Sequence, residues 1–345
     1  MHEDLSELFE RFAKEEFHNS SPLYERLALA VAKDREILSL AAHARKDERV
    51  PNLFFAAVHF LLLKGTQHPV SSFYNGTSGN SARAEDPYPQ FRSFCLEHGD
   101  EIRSLISVRL VQTNEVSRCA CLLPAFVLVS RQAHGRPLSL LEIGASAGLN
   151  LLWDCYGYNY GEGRQCGELG SPVQIKCVVK GNVEPPIAET LPKVSARVGV
   201  DLNPIDVYNS EAVLWLRALV WPEHEKRAQL LLRAVEVAQQ QPVKLIPGDA
   251  VESLPDLFSM IPEKTTLCIF RIFTQLPPQS RDRLSSLLLE QSAKRDVFLI
   301  SSRPNRGDAS GLWLTSFKDG TRTEKLLAYF ENHGEWLEWL NADGV

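Results

Sequence analysis

The sequence predicts an α/β fold in which a mostly parallel sheet follows an N-terminal helical region. Residues 1 to about 135 carry apolar side chains at helical spacing. Leu138–Ile143 then form an apolar run that leads into a turn of small residues, Gly144–Gly148. Later apolar runs alternate with helical segments, as in a parallel sheet, and lie at 196–204, 243–250, 267–273 and 297–301.

Composition limits the function classes. The chain has 345 residues, of which 44 % are hydrophobic and 23 % charged, as in an ordinary globular protein. Its net charge of -6 argues against a dedicated nucleic-acid binder, which normally has a basic patch. We find no secretory signal and no apolar run of about 18 residues. We therefore expect a cytoplasmic protein with no nucleic-acid or membrane partner, and the sequence does not specify its oligomeric state.

Two domains are expected: a helical region over residues 1–112 and an α/β domain over 113–345. Within the second, tyrosines at every second position from 156 to 160 predict a β insertion over about 156–190. That insertion is either a substrate lid or a hairpin whose tyrosines pack on the core. Apolar segments on both sides of an Asp319-Gly320 turn predict a C-terminal antiparallel hairpin.

The central stretch contains the pattern Glu-x-Gly-x-Ser-x-Gly, formed by Glu142, Gly144, Ser146 and Gly148. Small residues between a strand and a helix let a ligand approach the backbone, where free N–H groups can bind it. The pattern resembles the first motif of class I S-adenosylmethionine-dependent methyltransferases. In that motif the acidic residue ends strand one and the glycines face the methionine half of the cofactor.

The same turn allows two other interpretations. Gly-x-Ser-x-Gly is also the nucleophile elbow of α/β-hydrolases, with Ser146 as nucleophile. Asp249 and His333 follow Ser146 in the chain order that such a triad needs. An elbow normally follows several strands, however, whereas everything before Leu138 has a helical pattern. The third interpretation is a tight structural turn without a ligand.

Acidic residues follow the next two predicted strands. Asp201 ends the second strand, where a carboxylate can accept hydrogen bonds from both ribose hydroxyls of a nucleoside. It lies 53 residues after Gly148 rather than the usual distance of about 20, and the β insertion explains the difference. Asp249, in Gly-Asp-Ala after the third strand, resembles the methyltransferase residue that accepts from the adenine amino group.

Longer motifs extend the resemblance to nearly the whole chain, about residues 5 to 342. The chain is similar to a bacterial family of uncharacterised proteins, catalogued as a domain of unknown function with a Rossmann-like class I methyltransferase fold. The motifs are TNEVSR at 113–118, EIGASAGLNL at 142–151, GVDLNP at 199–204, WLRALVWP at 215–222 and HGEWLEW at 333–339. The resemblance implies that S-adenosylmethionine is bound by Glu142, Gly144, Ser146, Gly148, Asn150, Asp201 and Asp249.

The resulting expectation is an S-adenosylmethionine-dependent methyltransferase acting on an unknown small molecule. A non-catalytic S-adenosylmethionine or nucleotide-binding protein of the same fold is the alternative, and a serine hydrolase using Ser146 is a remote one. No catalytic residue can be assigned, and the histidines and cysteines show no metal-binding spacing. Arg271, just after strand four, either binds an acidic substrate or lies half-buried against a helix. Asn114, Glu115 and Arg118 either cap a helix or line the cofactor cleft.

Overall fold

A computed structural model describes residues 4–74, 85–305 and 309–340 of the chain. The chain divides into two compact units. The first comprises Met1–Thr113 and Asn209–Gln229, and the second comprises Asn114–Tyr208 and Leu230–Val345. The boundary at residues 229 and 230 falls within one helix, Glu225–Gln240.

The first unit is built from helices around an aromatic core. Helix Val50–Leu63 is apolar on nearly all sides and most of its residues are buried, as a central helix requires. Phe55 on this helix stacks on Tyr24, with 4.7 Å between ring centroids. The other helices of this unit are Leu5–Phe12, Pro22–Val31, Arg35–Ala41, Ser71–Tyr74, Tyr88–Glu97, Gly99–Val108 and Ser210–Ala218, and Ala13–Phe17 forms a π-helical turn.

The second unit contains a nine-stranded sheet of order β7-β6-β1-β8-β9-β10-β11-β12-β5. The strands of this sheet are β1 (Leu138–Ile143), β5 (Val178–Lys180), β6 (Val194–Asp201), β7 (Lys244–Pro247), β8 (Thr266–Arg271), β9 (Val297–Pro304), β10 (Ala309–Lys318), β11 (Thr321–Glu331) and β12 (Trp336–Trp339). The prediction of a mixed α/β protein with a mostly parallel sheet and N-terminal helices is confirmed. The antiparallel hairpin β10–β11 turns at Asp319-Gly320.

Strands β7, β6, β1, β8 and β9 pair in parallel. In chain order they are strands three, two, one, four and five, which is the arrangement of an open, doubly wound sheet. The strand order reverses between β1 and β8. Ligands of such sheets bind at the carboxyl ends of the strands beside this switch point.

Both faces of the parallel strands are covered, which explains why β1 is buried along its whole length. On one face Leu141 and Ile143 pack with helices Ala250–Met260 and Pro278–Gln291. On the other face, helix Cys119–Gln132 places the ring of Phe126 edge-on against Phe270, with 5.3 Å between centroids.

The segment where a β insertion was expected contains a three-stranded sheet of order β3-β2-β4. Its strands are β2 (Gly157–Asn159), β3 (Gln165–Gly167) and β4 (Gln174–Lys176). Tyr156, Tyr158 and Tyr160 are all buried. Their hydroxyls donate hydrogen bonds to the backbone carbonyls of Leu149, Trp153 and Ala120, respectively. The tyrosine row is therefore part of the core, which favours the structural interpretation over a lid.

Candidate functional site

The turn after β1 contains three residues with left-handed backbone conformation. The φ angles of Gly144, Ser146 and Gly148 are 76°, 54° and 73°. Glycine adopts such angles without steric penalty, whereas a non-glycine residue such as Ser146 is held there by its surroundings at a cost of about 1–3 kcal/mol. The alternation folds the chain into a compact loop at the carboxyl end of the strand.

Every backbone N–H group from residue 144 to 149 has an acceptor within the protein. The Val200 carbonyl accepts from the N–H groups of Gly144 and Ala145, and the Ala145 carbonyl accepts from that of Gly148. The Asp201 carboxylate accepts from the Ser146 N–H at 2.8 Å. The Asn114 side-chain oxygen accepts from the N–H groups of Ala147 and Leu149, each at 3.2 Å. The expectation that this turn presents free N–H groups to a ligand is therefore wrong, because protein oxygens occupy them.

Packing around Gly144 and Gly148 requires glycine at both positions. A Cβ atom on Gly144 would overlap the side chain of Thr274. A Cβ atom on Gly148 would lie 2.7 Å from Val243 Cγ2 and 3.0 Å from Leu245 Cδ2. The position that a Cβ atom would take at each glycine is thus filled by protein atoms.

A 3-10 helix, Leu149–Cys155, follows the turn in place of the regular helix that was expected. Three of its carbonyls accept hydrogen bonds from side chains: Leu149 from Tyr156, Trp153 from Tyr158, and Leu151 from Arg197 Nε at 3.1 Å. These side-chain donors take the place of the i+4 amides that would continue an α-helix. The turn therefore does not open a long helix whose dipole could bind an anion.

Glu142, in β1, is 2 % exposed and lies under the turn. Its Oε1 accepts from Asn150 Nδ2 at 3.2 Å, and Asn150 in turn accepts from the thiol of Cys119. Burial raises the pKa of Glu142 well above its ordinary value, against the opposing effect of the Asn150 hydrogen bond, and the nearby Asp201 carboxylate raises it further. Burial thus favours the protonated form of this carboxyl group.

Two buried oxygens at this turn have no hydrogen-bond partner within the described part of the chain: Glu142 Oε2 and Ser146 Oγ. An unpaired buried polar atom costs about 1–3 kcal/mol, so native proteins rarely leave one without a ligand or water. Both atoms could pair with the polar groups of a small molecule bound at this turn.

Asp201 ends β6 next to the turn. Its Oδ2 accepts from the Ser146 N–H and its Oδ1 from the Asn203 N–H, both at 2.8 Å. The side chain of Leu202, the next residue, is 72 % exposed.

Asp249 follows β7 and caps helix Ala250–Met260. Its Oδ1 accepts from the N–H groups of Val251 at 2.8 Å and Glu252 at 3.1 Å. An aspartate at this position is a favourable helix cap without any ligand. The side chain is exposed, so its remaining acceptor positions stay accessible.

The sheet register brings these acids to one edge. Ile143 lies opposite Val200, and Asp201 lies opposite Pro247, so β1, β6 and β7 end within a few residues of each other. Glu142, Asp201 and Asp249 thus lie along the carboxyl edge of three adjacent strands, with Gly144, Ser146, Gly148 and Asn150 at the first of them.

Other residues at this edge were not recognised in the sequence. Thr274, after β8, donates from Oγ1 to the Ile143 carbonyl at 3.0 Å. Phe273 has a φ of 59°, and its N–H donates to Ser302 Oγ at 2.8 Å. The Arg118 guanidinium lies 4.2 Å from the centroid of the Phe273 ring. No local pattern distinguishes a threonine or serine that folds back onto a neighbouring strand, so only the tertiary structure identifies them.

The residues of the possible hydrolase triad do not contact each other. Ser146 Oγ is buried and meets no base in the described ranges. Asp249 caps a helix, and His333 Nδ1 pairs with Glu331 Oε1 at 3.0 Å. The positive φ of Ser146 is a feature shared with a strained nucleophile elbow, but an elbow exposes its serine.

Among the residues with described positions, no group of three or more His, Cys, Asp or Glu side chains could hold a metal ion. Within the same residues, no helix is both long and apolar enough to span a bilayer.

Fold and geometry together define an α/β protein with acidic side chains at the carboxyl ends of three adjacent strands beside the switch point of its sheet, here called the acidic edge. The chain belongs to a family described as "Uncharacterized protein conserved in bacteria (DUF2332)", whose profile matches residues 6–339. No curated protein and no solved structure matches the chain.

Proposed function

We propose that this protein binds S-adenosylmethionine at the acidic edge and transfers its methyl group to a small molecule. The observation that carries the proposal is the alignment of Glu142, Asp201 and Asp249 at the ends of three adjacent parallel strands beside the switch point. Nucleosides bind open α/β sheets at this position, where a strand-end acid can accept from the ribose hydroxyls. We further propose that the fold is of the class I methyltransferase type.

The chemistry of the edge favours one class of nucleoside. A dinucleotide or nucleoside phosphate needs N–H donors for its phosphates, but acceptors inside the protein already occupy those of residues 144–149. The edge instead offers acceptor oxygens. Acceptors suit a ligand that carries hydroxyl, amino and cationic groups and no phosphate, as S-adenosylmethionine does.

Each residue has a role in this proposal. Asp201, at the end of β6, accepts from the ribose hydroxyls, and the exposed side chain of Leu202 covers one face of the adenine. Asp249 accepts from the adenine amino group. The unpaired oxygens of Glu142 and Ser146 face the amino-acid end of the cofactor. Gly144, Gly148 and Asn150 shape the turn that holds this end.

S-adenosylmethionine supplies an activated methyl group on its sulfonium. The protein's contribution is then to hold the acceptor in line, and positioning alone can supply much of the rate. The segment after β8, residues 272–276, contains no carboxylate or histidine that could act as a base. The same absence supports the second candidate, a protein that binds the cofactor without transferring the methyl group.

Isothermal titration calorimetry with S-adenosylmethionine, S-adenosylhomocysteine and ATP tests the proposal. We expect the first two to bind and ATP not to bind. Asp201→Asn should weaken binding, whereas Asp319→Asn, which makes the same charge change in the exposed β10–β11 turn, should not. Absence of binding at millimolar cofactor would refute both candidates. Binding without turnover on a broad panel of small-molecule acceptors would favour the second.

A further inference from the structure

Arg271, the last residue of β8, is a half-buried cation without a carboxylate partner in the described portion of the chain. Its Nη1 donates to the Thr274 carbonyl at 2.9 Å. Its Nε is buried and, within the described residues, donates to no acceptor. A buried guanidinium normally pairs with an anion, because an unpaired charge is costly to remove from water.

The charged groups around Arg271 are also cationic. Arg271 lies opposite Ser301 in β9, so Arg303, two residues farther, lies on the same face of the sheet. Arg303 is already engaged by Glu324. Burial lowers the pKa of Arg271, and Arg303 and Arg281 lower it further, in agreement with this local excess of positive charge.

The two sides of the switch point therefore carry opposite charge. The ends of β6 and β7 carry the carboxylates of Asp201 and Asp249, whereas the ends of β8 and β9 carry Arg271 and Arg303. An anionic group would be repelled from the first side and attracted to the second. A cationic, hydroxyl-bearing nucleoside would show the opposite preference.

We propose that Arg271 binds a carboxylate or phosphate group of the molecule that accepts the methyl group, so that the substrate is a small anion bound over β8 and β9. This inference rests on the proposed function for the identity of the anion as a methyl acceptor. The Nε–H and the remaining Nη donors of Arg271 present the planar fork that carboxylates and phosphates bind bidentately.

The test is anion binding by the full chain, with inorganic phosphate and acetate as separate probes at constant ionic strength. Thermal unfolding and calorimetry measure the affinity. We expect at least one of the two anions to bind, and Arg271→Gln to weaken that binding about tenfold or more. Whether phosphate or acetate binds more tightly identifies the anionic group.

Two further variants serve as controls. Arg271→Lys keeps the charge without the fork and should show intermediate affinity. Arg136→Gln removes the same charge from an exposed arginine just before β1, at the opposite edge of the sheet, and should bind like the wild type. Failure of both anions to bind the wild type, or equal binding by Arg271→Gln, would overturn the inference.

Titration of the same preparations with S-adenosylhomocysteine separates this inference from the proposed function. Arg271→Gln should bind S-adenosylhomocysteine as the wild type does, which also shows that the variant is folded. If anion binding depends on Arg271 but S-adenosylhomocysteine does not bind, the proposed cofactor is refuted and the proposed anion site is retained. Cofactor binding with no anion binding would refute the anion site alone.

Discussion

The hydroxyl of Tyr160 donates a 2.7 Å hydrogen bond to the carbonyl oxygen of Ala120, which lies four residues before Pro124 in helix Cys119–Gln132. Proline has no N–H group, so Pro124 cannot satisfy the Ala120 carbonyl as another residue would. The tyrosine of the β insertion thus supplies the donor that the helix lacks.

We predict that Tyr160→Phe lowers the free energy of unfolding by about 1–3 kcal/mol, because it leaves the Ala120 carbonyl buried without a donor. In a Pro124→Ala background, residue 124 can donate to Ala120 itself, and the same substitution should cost less. Urea unfolding of the four variants measures the coupling between the two sites. Equal costs of Tyr160→Phe in both backgrounds would show that the tyrosine contributes only packing.

We predict that Asp201→Ala impairs both the fold and the site. The carboxylate accepts from the N–H groups of Ser146 and Asn203, so its removal should lower the free energy of unfolding by about 1–3 kcal/mol. Asp201→Asn keeps one acceptor oxygen and should lose less stability. Stability measured by urea unfolding and cofactor affinity measured by calorimetry should both fall in the order wild type, Asn, Ala. Unchanged stability in Asp201→Ala would contradict the role in holding the turn.

Glu142 gives a prediction about pH. The pKa of Glu142 is raised in the native state. The contribution of its neutral form to the free energy of unfolding is therefore complete at pH values below the unfolded-state pKa. This contribution is lost as the pH rises from the unfolded-state pKa through the native-state pKa. Glu142→Gln cannot ionise and should lose this decline, which makes it more stable than the wild type at neutral pH. Urea unfolding over a series of pH values measures the effect.

Glu324→Gln is the matched control for Glu142. The hydrogen bond from Arg303 lowers the pKa of Glu324, so its contribution is present above the unfolded pKa and lost as the pH falls through the native value. The control should therefore be less stable than the wild type at neutral pH, opposite in sign to Glu142→Gln. The same sign for both variants would contradict a raised pKa for Glu142.

Gly148→Ala should destabilise the turn whether or not a ligand binds. The left-handed backbone disfavours alanine, and the new Cβ would press on Val243 and Leu245. We expect a loss of about 1–3 kcal/mol in urea unfolding. Addition of Val243→Ala to Gly148→Ala should restore only the part of the lost stability that comes from the contact of the new Cβ atom with Val243. Full stability of Gly148→Ala would contradict the packing role.

Ser146→Ala distinguishes a cofactor turn from a nucleophile elbow. Ser146 Oγ has no partner in the described part of the chain, so it can offer the cofactor a single neutral hydrogen bond. Its removal should therefore weaken cofactor binding by at most about 1 kcal/mol. A fluorophosphonate probe should not label the buried hydroxyl, and mass spectrometry of the treated protein checks this. Stoichiometric labelling of Ser146 that is absent in Ser146→Ala would establish the hydrolase instead.

The strands and their acidic ends were predictable because they depend on local patterns. The apolar run of β1, the turn after it, and Asp201 at the end of β6 can all be read within about ten residues of sequence. The roles of these acids toward a cofactor remain predictions.

Contacts between distant segments were not predictable. The sequence left two alternatives for Asn114, a helix cap or the cofactor cleft, and did not reveal its hydrogen bonds to two N–H groups of the turn more than thirty residues later. Thr274 lies well over a hundred residues after β1. The sequence predicts a regular helix where the structure has the 3-10 helix Leu149–Cys155. The difference arises because side chains of later segments donate hydrogen bonds to the carbonyls of this helix, and no local pattern shows these contacts. These are tertiary effects that override local propensity.

The parallel pairing of β5 with β12 joins Val178 to Trp336 and makes β5 the outer strand of the large sheet. During synthesis on the ribosome, β5 emerges long before the only strand with which it pairs in the described structure. The backbone amides and carbonyls of β5 therefore stay without their strand partner while the rest of the sheet is translated. Exposed strand edges of this kind promote association between nascent chains. Folding of the newly made protein without aggregation therefore depends on how quickly β12 is synthesised and pairs with β5, or on a chaperone that covers β5 until β12 has formed.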